Sequence, residues 1–72
     1  MTTDPSDAIL AVLEDTDEEL HWTVIQDRIL RAGSLDPFET PDVRGVVSRA
    51  LQALVRDGRV TKTGKGTYRL AR

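Results

Sequence analysis

The stretch from Thr40 to Gly58 constrains the fold more than any other part of the chain. Thr40-Pro41-Asp42 reads as a cap, a first-position proline and an early acid, and Gly58 as the stop. Between them Val43, Val46, Val47, Ala50, Leu51 and Leu54 recur at three- and four-residue steps. At about 100° per residue these six cover one side of a helix. The opposite arc holds Arg44, Gly45, Ser48, Arg49, Gln52 and Arg56, with no acid and no large apolar residue. A helix so divided, predicted over about residues 41–57, needs partners that cover its apolar side and leave the basic one alone.

Two shorter helices supply that cover. The first is predicted over about 4–15, where Asp4 is the N-cap, Pro5 the first helical residue and Asp7 an acid near the positive end of the dipole. Ile9, Leu10, Val12 and Leu13 are its apolar stripe. The acid run from Glu14 to Glu19 breaks the pattern and reads as a solvated loop. After an extended piece, Leu20-His21-Trp22, a second helix is predicted over about 24–32. Thr23 and Gln26 match a capping box, Ile25, Ile29 and Leu30 form the buried face, and Gly33 is a left-handed cap. Leu35 and Phe38, in the following loop, are expected to tuck back onto the core, as are His21 and Trp22.

The last segment, Arg59 to Leu70, has two β-prone runs flanking Gly64-Lys65-Gly66, which signals a three-residue hairpin loop. Alternation points Val60, Tyr68 and Leu70 inward, with Thr61, Thr67 and Arg69 outward. Lys62-Thr63-Gly64-Lys65-Gly66 lacks the spacing and following helix of a Walker A loop. Three helices and a C-terminal two-stranded β-hairpin make an α+β chain with the plan of a small winged helix-turn-helix, in one domain over residues 4–72 with its wing at about 59–71. Residues 1–3 are expected to be a flexible N-terminus.

Charge is distributed along the chain in the same sense. Residues 1–40 hold ten acids and two bases, whereas residues 41–72 hold eight bases and two acids. The net charge of −2 conceals this separation, which points to a polyanion or to a protein of opposite pattern as partner. Cysteine is absent and histidine occurs once, so disulfides, a cysteine-bound zinc and a nucleophilic triad all lack their residues. Glu18 and Glu19 are neighbours in a loop and do not face each other across a cleft. No enzyme, metal or cofactor is expected. No apolar run approaches the roughly 20 residues that span a bilayer. The start, Met1 to Pro5, lacks a basic segment followed by an apolar one, so no signal peptide is read there and a cytoplasmic location is expected, nucleoid-associated if the chain binds DNA.

Three pieces, Leu20-His21-Trp22, Thr40-Pro41 and Gly66-Thr67-Tyr68-Arg69-Leu70, resemble signature stretches of the HARE-type helix-turn-helix domains. Those are winged-helix modules found fused to restriction, chromatin and DNA-modification proteins. The resemblance runs from about Ala8 to Leu70 and implies the same fold. Family members often carry a glycine and a lysine before the Thr-Pro; Phe38 and Glu39 stand there, which removes a positive charge from that loop. A related domain occurs at the N-terminus of the delta subunit of bacterial RNA polymerase, and that likeness implies a protein partner.

Double-stranded DNA is the expected ligand, as for a small transcriptional regulator or a nucleoid factor. In that reading Arg44, Ser48, Arg49 and Gln52 face the major groove, Arg56 holds a phosphate or offsets the helix dipole, and Lys62, Thr63 and Lys65 grip the backbone. Gly64 and Gly66 are turn residues, and Gly45 marks close packing by a neighbouring helix or, as the alternative, close approach of a phosphate backbone. The alternative is a protein-interaction module of the same fold that docks on RNA polymerase or another regulator through the acidic N-terminal half. Either a monomer or a homodimer is compatible, the latter through exposed apolar residues such as Phe38 and Val55.

Overall fold

In the computed structural model, which describes residues 4–71, helix α1 spans Pro5–Glu14. Asp4 caps it, its carboxylate accepting the Ser6 N–H at 2.8 Å, and Pro5 takes the first turn, where an N–H has no partner to lose. Strand β1 (Leu20–His21) leads directly into α2 (Trp22–Arg31), and α3 (Val43–Arg56) precedes strands β2 (Val60–Gly64) and β3 (Thr67–Leu70). The expected flexible segment at residues 1–3 lies outside the described residues, as does Arg72.

The core is apolar throughout, with no polar or charged residue fully buried among those described. Ile9 and Leu13 from α1, Ile25 and Ile29 from α2, and Val47, Leu51 and Leu54 from α3 meet at its centre, with Val60 closing it from the sheet. Each such side chain contributes roughly 1.5–3 kcal/mol on burial. Val43, Val46 and Ala50 are only partly buried, so the apolar side of α3 is narrower than its sequence pattern.

Gly33 and Gly58 both stop helices as expected, at φ +74° and +77°. After α2 the N–H of Ser34 reaches Ile29 O at 3.1 Å and that of Gly33 reaches Leu30 O at 3.2 Å. After α3 the N–H of Arg59 reaches Leu54 O at 3.0 Å and that of Gly58 reaches Val55 O at 3.1 Å. These crossed bonds satisfy end carbonyls that the helices themselves leave open, and only a residue at positive φ allows them.

The sheet has three antiparallel strands in the order β1-β3-β2, so the expectation of a wing with two strands is corrected. Leu20 pairs with Tyr68 and His21 with Thr67, while β2 pairs with β3 from Val60↔Leu70 to Gly64↔Thr67. β1 satisfies the outer edge of β3, which would otherwise expose unpaired backbone groups. The hairpin loop is also shorter than expected. Gly64 belongs to β2 and pairs across the turn, leaving Lys65-Gly66 as the connection, and the extra residue is absorbed by a register shift between Lys62 and Gly64. Only Gly66 of the two wing glycines has positive φ, at +80°. With Val60 and Tyr68 on the inner face, Thr61 and Arg69 are exposed as expected, but Thr67 is half-buried.

Helix starts differ from expectation in two places. α2 begins at Trp22, whose N–H is bonded to Gly66 O at 2.9 Å, so the cap is His21 and not Thr23. His21 Nδ1 accepts the Thr23 N–H at 3.3 Å and lies 2.8 Å from Thr23 Oγ1, and no capping box forms. Gln26 Oε1 is instead buried without a hydrogen-bond partner among the described residues. His21 is therefore an exposed cap and not the core residue expected, while Trp22 is half-buried against the core. α3 is capped by Asp42, whose Oδ1 accepts the Gly45 N–H at 3.0 Å; Thr40 and Pro41 stand before it.

The loop between α2 and α3 brings a third correction. Leu35 is buried as expected, but Phe38 is 97% exposed. Asp36 is the cause: its Oδ1 accepts the Phe38 N–H at 2.8 Å, and its carbonyl accepts from Glu39 and Thr40 at 3.1 and 2.8 Å. That tight turn, begun by an Asp before a proline, closes on itself and leaves the Phe38 ring outside. Three helices and this small sheet form an α+β domain with a winged-helix-like arrangement.

Candidate nucleic-acid interface

The side chains expected to form a site, Arg44, Ser48, Arg49, Gln52, Arg56, Lys62, Thr63 and Lys65, are all exposed. None of the five cations among them has an ion-pair partner among the described residues; the Asp27–Arg31 pair, at 3.0 Å, lies on α2. No ion pair among the described residues competes with an external anion for these five groups.

Helix geometry divides these residues into two rows. At about 100° per residue, Arg44 and Ser48 point within about 40° of each other, on the side of α3 that turns toward the wing. Arg49 and Arg56 fall within about 20° of one another on the arc away from the core. Gln52 stands between the rows.

The first row meets the wing. Arg44 and Ser48 line a cleft of about 220 Å³ with Trp22, Lys62, Gly66 and Tyr68, floored by Val47 and Leu51. Lys62 comes to this cleft because it pairs with Tyr68 and so shares its face of the sheet. Gln52 lines an adjoining recess of about 180 Å³ with Val55, Lys62 and Tyr68. It donates to Ser48 Oγ at 3.5 Å, too long to hold either side chain firmly. Thr63 and Lys65 sit beyond the cleft at the tip, where Thr63 donates to Thr67 Oγ1 at 3.0 Å. Arg49 and Arg56 do not enter the cleft.

The contact that sequence reasoning missed is between Arg44 and Trp22. The guanidinium carbon of Arg44 lies 4.8 Å from the Trp22 ring centroid, a stacking contact worth about 0.5–1 kcal/mol at an exposed site. Stacking leaves the N–H groups at the edge of the plane free to donate while fixing its orientation. Nothing in the separation of positions 22 and 44 announces this pair; it arises because α2 begins on the wing and α3 returns beside it. The His21 ring lies next to Trp22, 5.7 Å between centroids, and its Nε2 stands beside Gly66. A Cβ at Gly66 would come within 2.9 Å of that nitrogen, so both the positive φ and the close approach require glycine there.

Gly45 likewise has a cause other than the helix packing expected of it. A Cβ there would overlap the Asp42 carboxylate that caps the helix. The Asp42 carboxylate thus lies against the first turn of α3 and satisfies the Gly45 N–H there.

No group of His, Asp and Glu side chains able to hold a metal ion occurs among the described residues, and no helix among them is long and apolar enough to cross a membrane. The chain matches no family model, no curated protein and no solved structure.

Proposed function

We propose that this chain is a double-stranded DNA-binding winged-helix module of the HARE type, a small transcriptional regulator or nucleoid factor of the cytoplasm. The observation that carries the reading is the convergence of unpaired cations from two separate elements, α3 and the wing, on one surface. In this reading Arg49, Gln52 and Arg56 enter the major groove or meet its phosphates, Arg44 and Ser48 contact the strand that passes the cleft, and Lys62, Thr63 and Lys65 hold the backbone beside it. The Trp22 stack holds the Arg44 fork in one orientation, which favours bidentate recognition of a phosphate or a guanine edge. The acidic first half stands away from the duplex and orients the approach.

The test is a titration of isotope-labelled protein with a mixed-sequence duplex, followed by NMR at low and moderate salt. Shifts confined to residues 44–56 and 62–66 that weaken with salt are expected. If about four phosphates are neutralised, log affinity falls against log salt with a slope of roughly −3.6. An unchanged spectrum at low salt refutes the reading.

One observation favours a second reading. Glu14, Asp15, Asp17, Glu18 and Glu19 are all exposed around the loop before β1, a surface suited to a basic protein partner such as a polymerase subunit or another regulator. Neutralising Glu18 and Glu19 weakens capture of such a partner and does not weaken DNA binding.

A further inference from the structure

A second surface has nothing to do with the basic face. α1 and α2, with the residues that follow each, leave a shallow recess of about 480 Å³ that shares no lining residue with the cleft. Ala11, Val12 and Ala32 give it an apolar lining, the two alanines being exposed, and Asp15 and two arginines, Arg28 and Arg31, stand around it. These are the only two bases in the first forty residues. Arg31 is paired with Asp27, but Arg28 has no ion-pair partner among the described residues.

The same molecule carries the complementary shape. Phe38, 97% exposed, is held out by the Asp36 turn and stands between Asp36 and Glu39 in the sequence Asp36-Pro37-Phe38-Glu39. An apolar knob between two acids thus faces solvent, while an apolar hollow beside two arginines stands open. The Asp36 turn fixes the backbone at Phe38, so the freedom lost on docking is that of the ring's own rotamers.

We propose that the recess receives Phe38 of a second copy of this chain, with Glu39 of that copy beside Arg28. Knob and recess belong to one chain, so the isologous arrangement, each copy's knob on the other copy's recess, is the one that closes. A closed pair results, without continuing into fibres. Each ring buries at most roughly 150–250 Å². Two such contacts and their rims fall short of the roughly 1,000 Å² expected of a tight interface, so the dimer is weak and concentration-dependent. The contact shares no residue with the cleft or with the outer row of α3, and it stands or falls independently of DNA binding.

The experiment is sedimentation equilibrium of the whole chain without nucleic acid, from about 10 µM to 1 mM, the range in which a weak dimer dissociates. The wild-type mass is expected to rise toward that of a dimer across this range. Phe38→Ala raises the dissociation constant about tenfold or more, since one buried aromatic anchor is lost from each copy. Arg28→Glu and Glu39→Arg each weaken association, and the two combined restore it, because both reversed pairs again attract. Thermal melts of the variants, expected unchanged for these exposed positions, separate association from folding. A wild type that stays monomeric at the highest concentration overturns the proposal. So does a Phe38→Ala chain that associates like the wild type, or a double reversal as weak as the single ones.

Discussion

Replacing Gly45 by alanine tests the account of how α3 begins, because the structure predicts the opposite of what helix propensity predicts. At an unconstrained helical site this change stabilises by about 0.4–1 kcal/mol, chiefly by restricting the unfolded chain. Here the new Cβ overlaps the Asp42 carboxylate. The carboxylate can rotate away, but only by releasing the Gly45 N–H it accepts at 3.0 Å. Losing an N-cap costs typically about 1 kcal/mol, within a range of about 0.5–2. The two effects oppose each other, so Gly45→Ala is expected to be neutral or destabilising by up to about 1 kcal/mol. Asp42→Ala alone costs about 1 kcal/mol. In that background the obstruction is gone, and adding Gly45→Ala recovers about 0.4–1 kcal/mol. The coupling between the two sites is therefore about 1 kcal/mol, as for residues in direct contact. For a domain of this size about 1 kcal/mol moves the melting temperature by roughly 4–8 °C, well within the reach of circular dichroism at 222 nm. A Gly45→Ala protein that melts several degrees above wild type, or effects of the two substitutions that simply add, would refute the capping argument.

Other consequences can be checked with the same preparations. Arg49→Glu, at an exposed position, is expected to abolish duplex binding with the melt unchanged, and Arg49→Ala to make the log–log salt slope shallower by about 0.9; fluorescence anisotropy with a labelled duplex decides. Arg44→Ala removes the cation stacked on the chain's one tryptophan, so it shifts Trp22 emission and costs about 0.5–1 kcal/mol in urea denaturation. An emission spectrum identical to wild type would show the stack absent in solution. Leu35→Ala and Phe38→Ala, three residues apart in one loop, are expected to differ sharply. The first costs about 2–5 kcal/mol as a cavity in the core, while the second stays within about 0.5 kcal/mol.

Much of the fold is legible where the signal is local and repeated. The apolar steps through α3, the Asp4-Pro5 start of α1 and the glycines at 33 and 58 each report a backbone requirement satisfied within a few residues. The basic arc of α3 is legible for the same reason, since an exposed face needs no partner to define it. β1 is different. Its extended backbone is legible at Leu20-His21-Trp22, but the strand it joins is not, because the pairing of Leu20 with Tyr68 connects positions far apart in the chain. That pairing, together with the bond from Trp22 N–H to Gly66 O, moves the start of α2 ahead of Thr23 and makes His21 the cap. A capping-box pattern describes a local preference, and a strand pairing overrode it.

The candidate site divides along the same line. Which residues are basic and exposed on α3 and the wing follows from the sequence, because periodicity and turn chemistry are properties of neighbours. That Arg44, Ser48 and Lys62 share a cleft, that Trp22 holds Arg44, and that Phe38 points away from the core follow only from the tertiary structure. Those facts depend on how α2 and α3 return to the sheet and on one turn organised by Asp36, and the spacing of residues along the chain does not encode distances set by packing between elements.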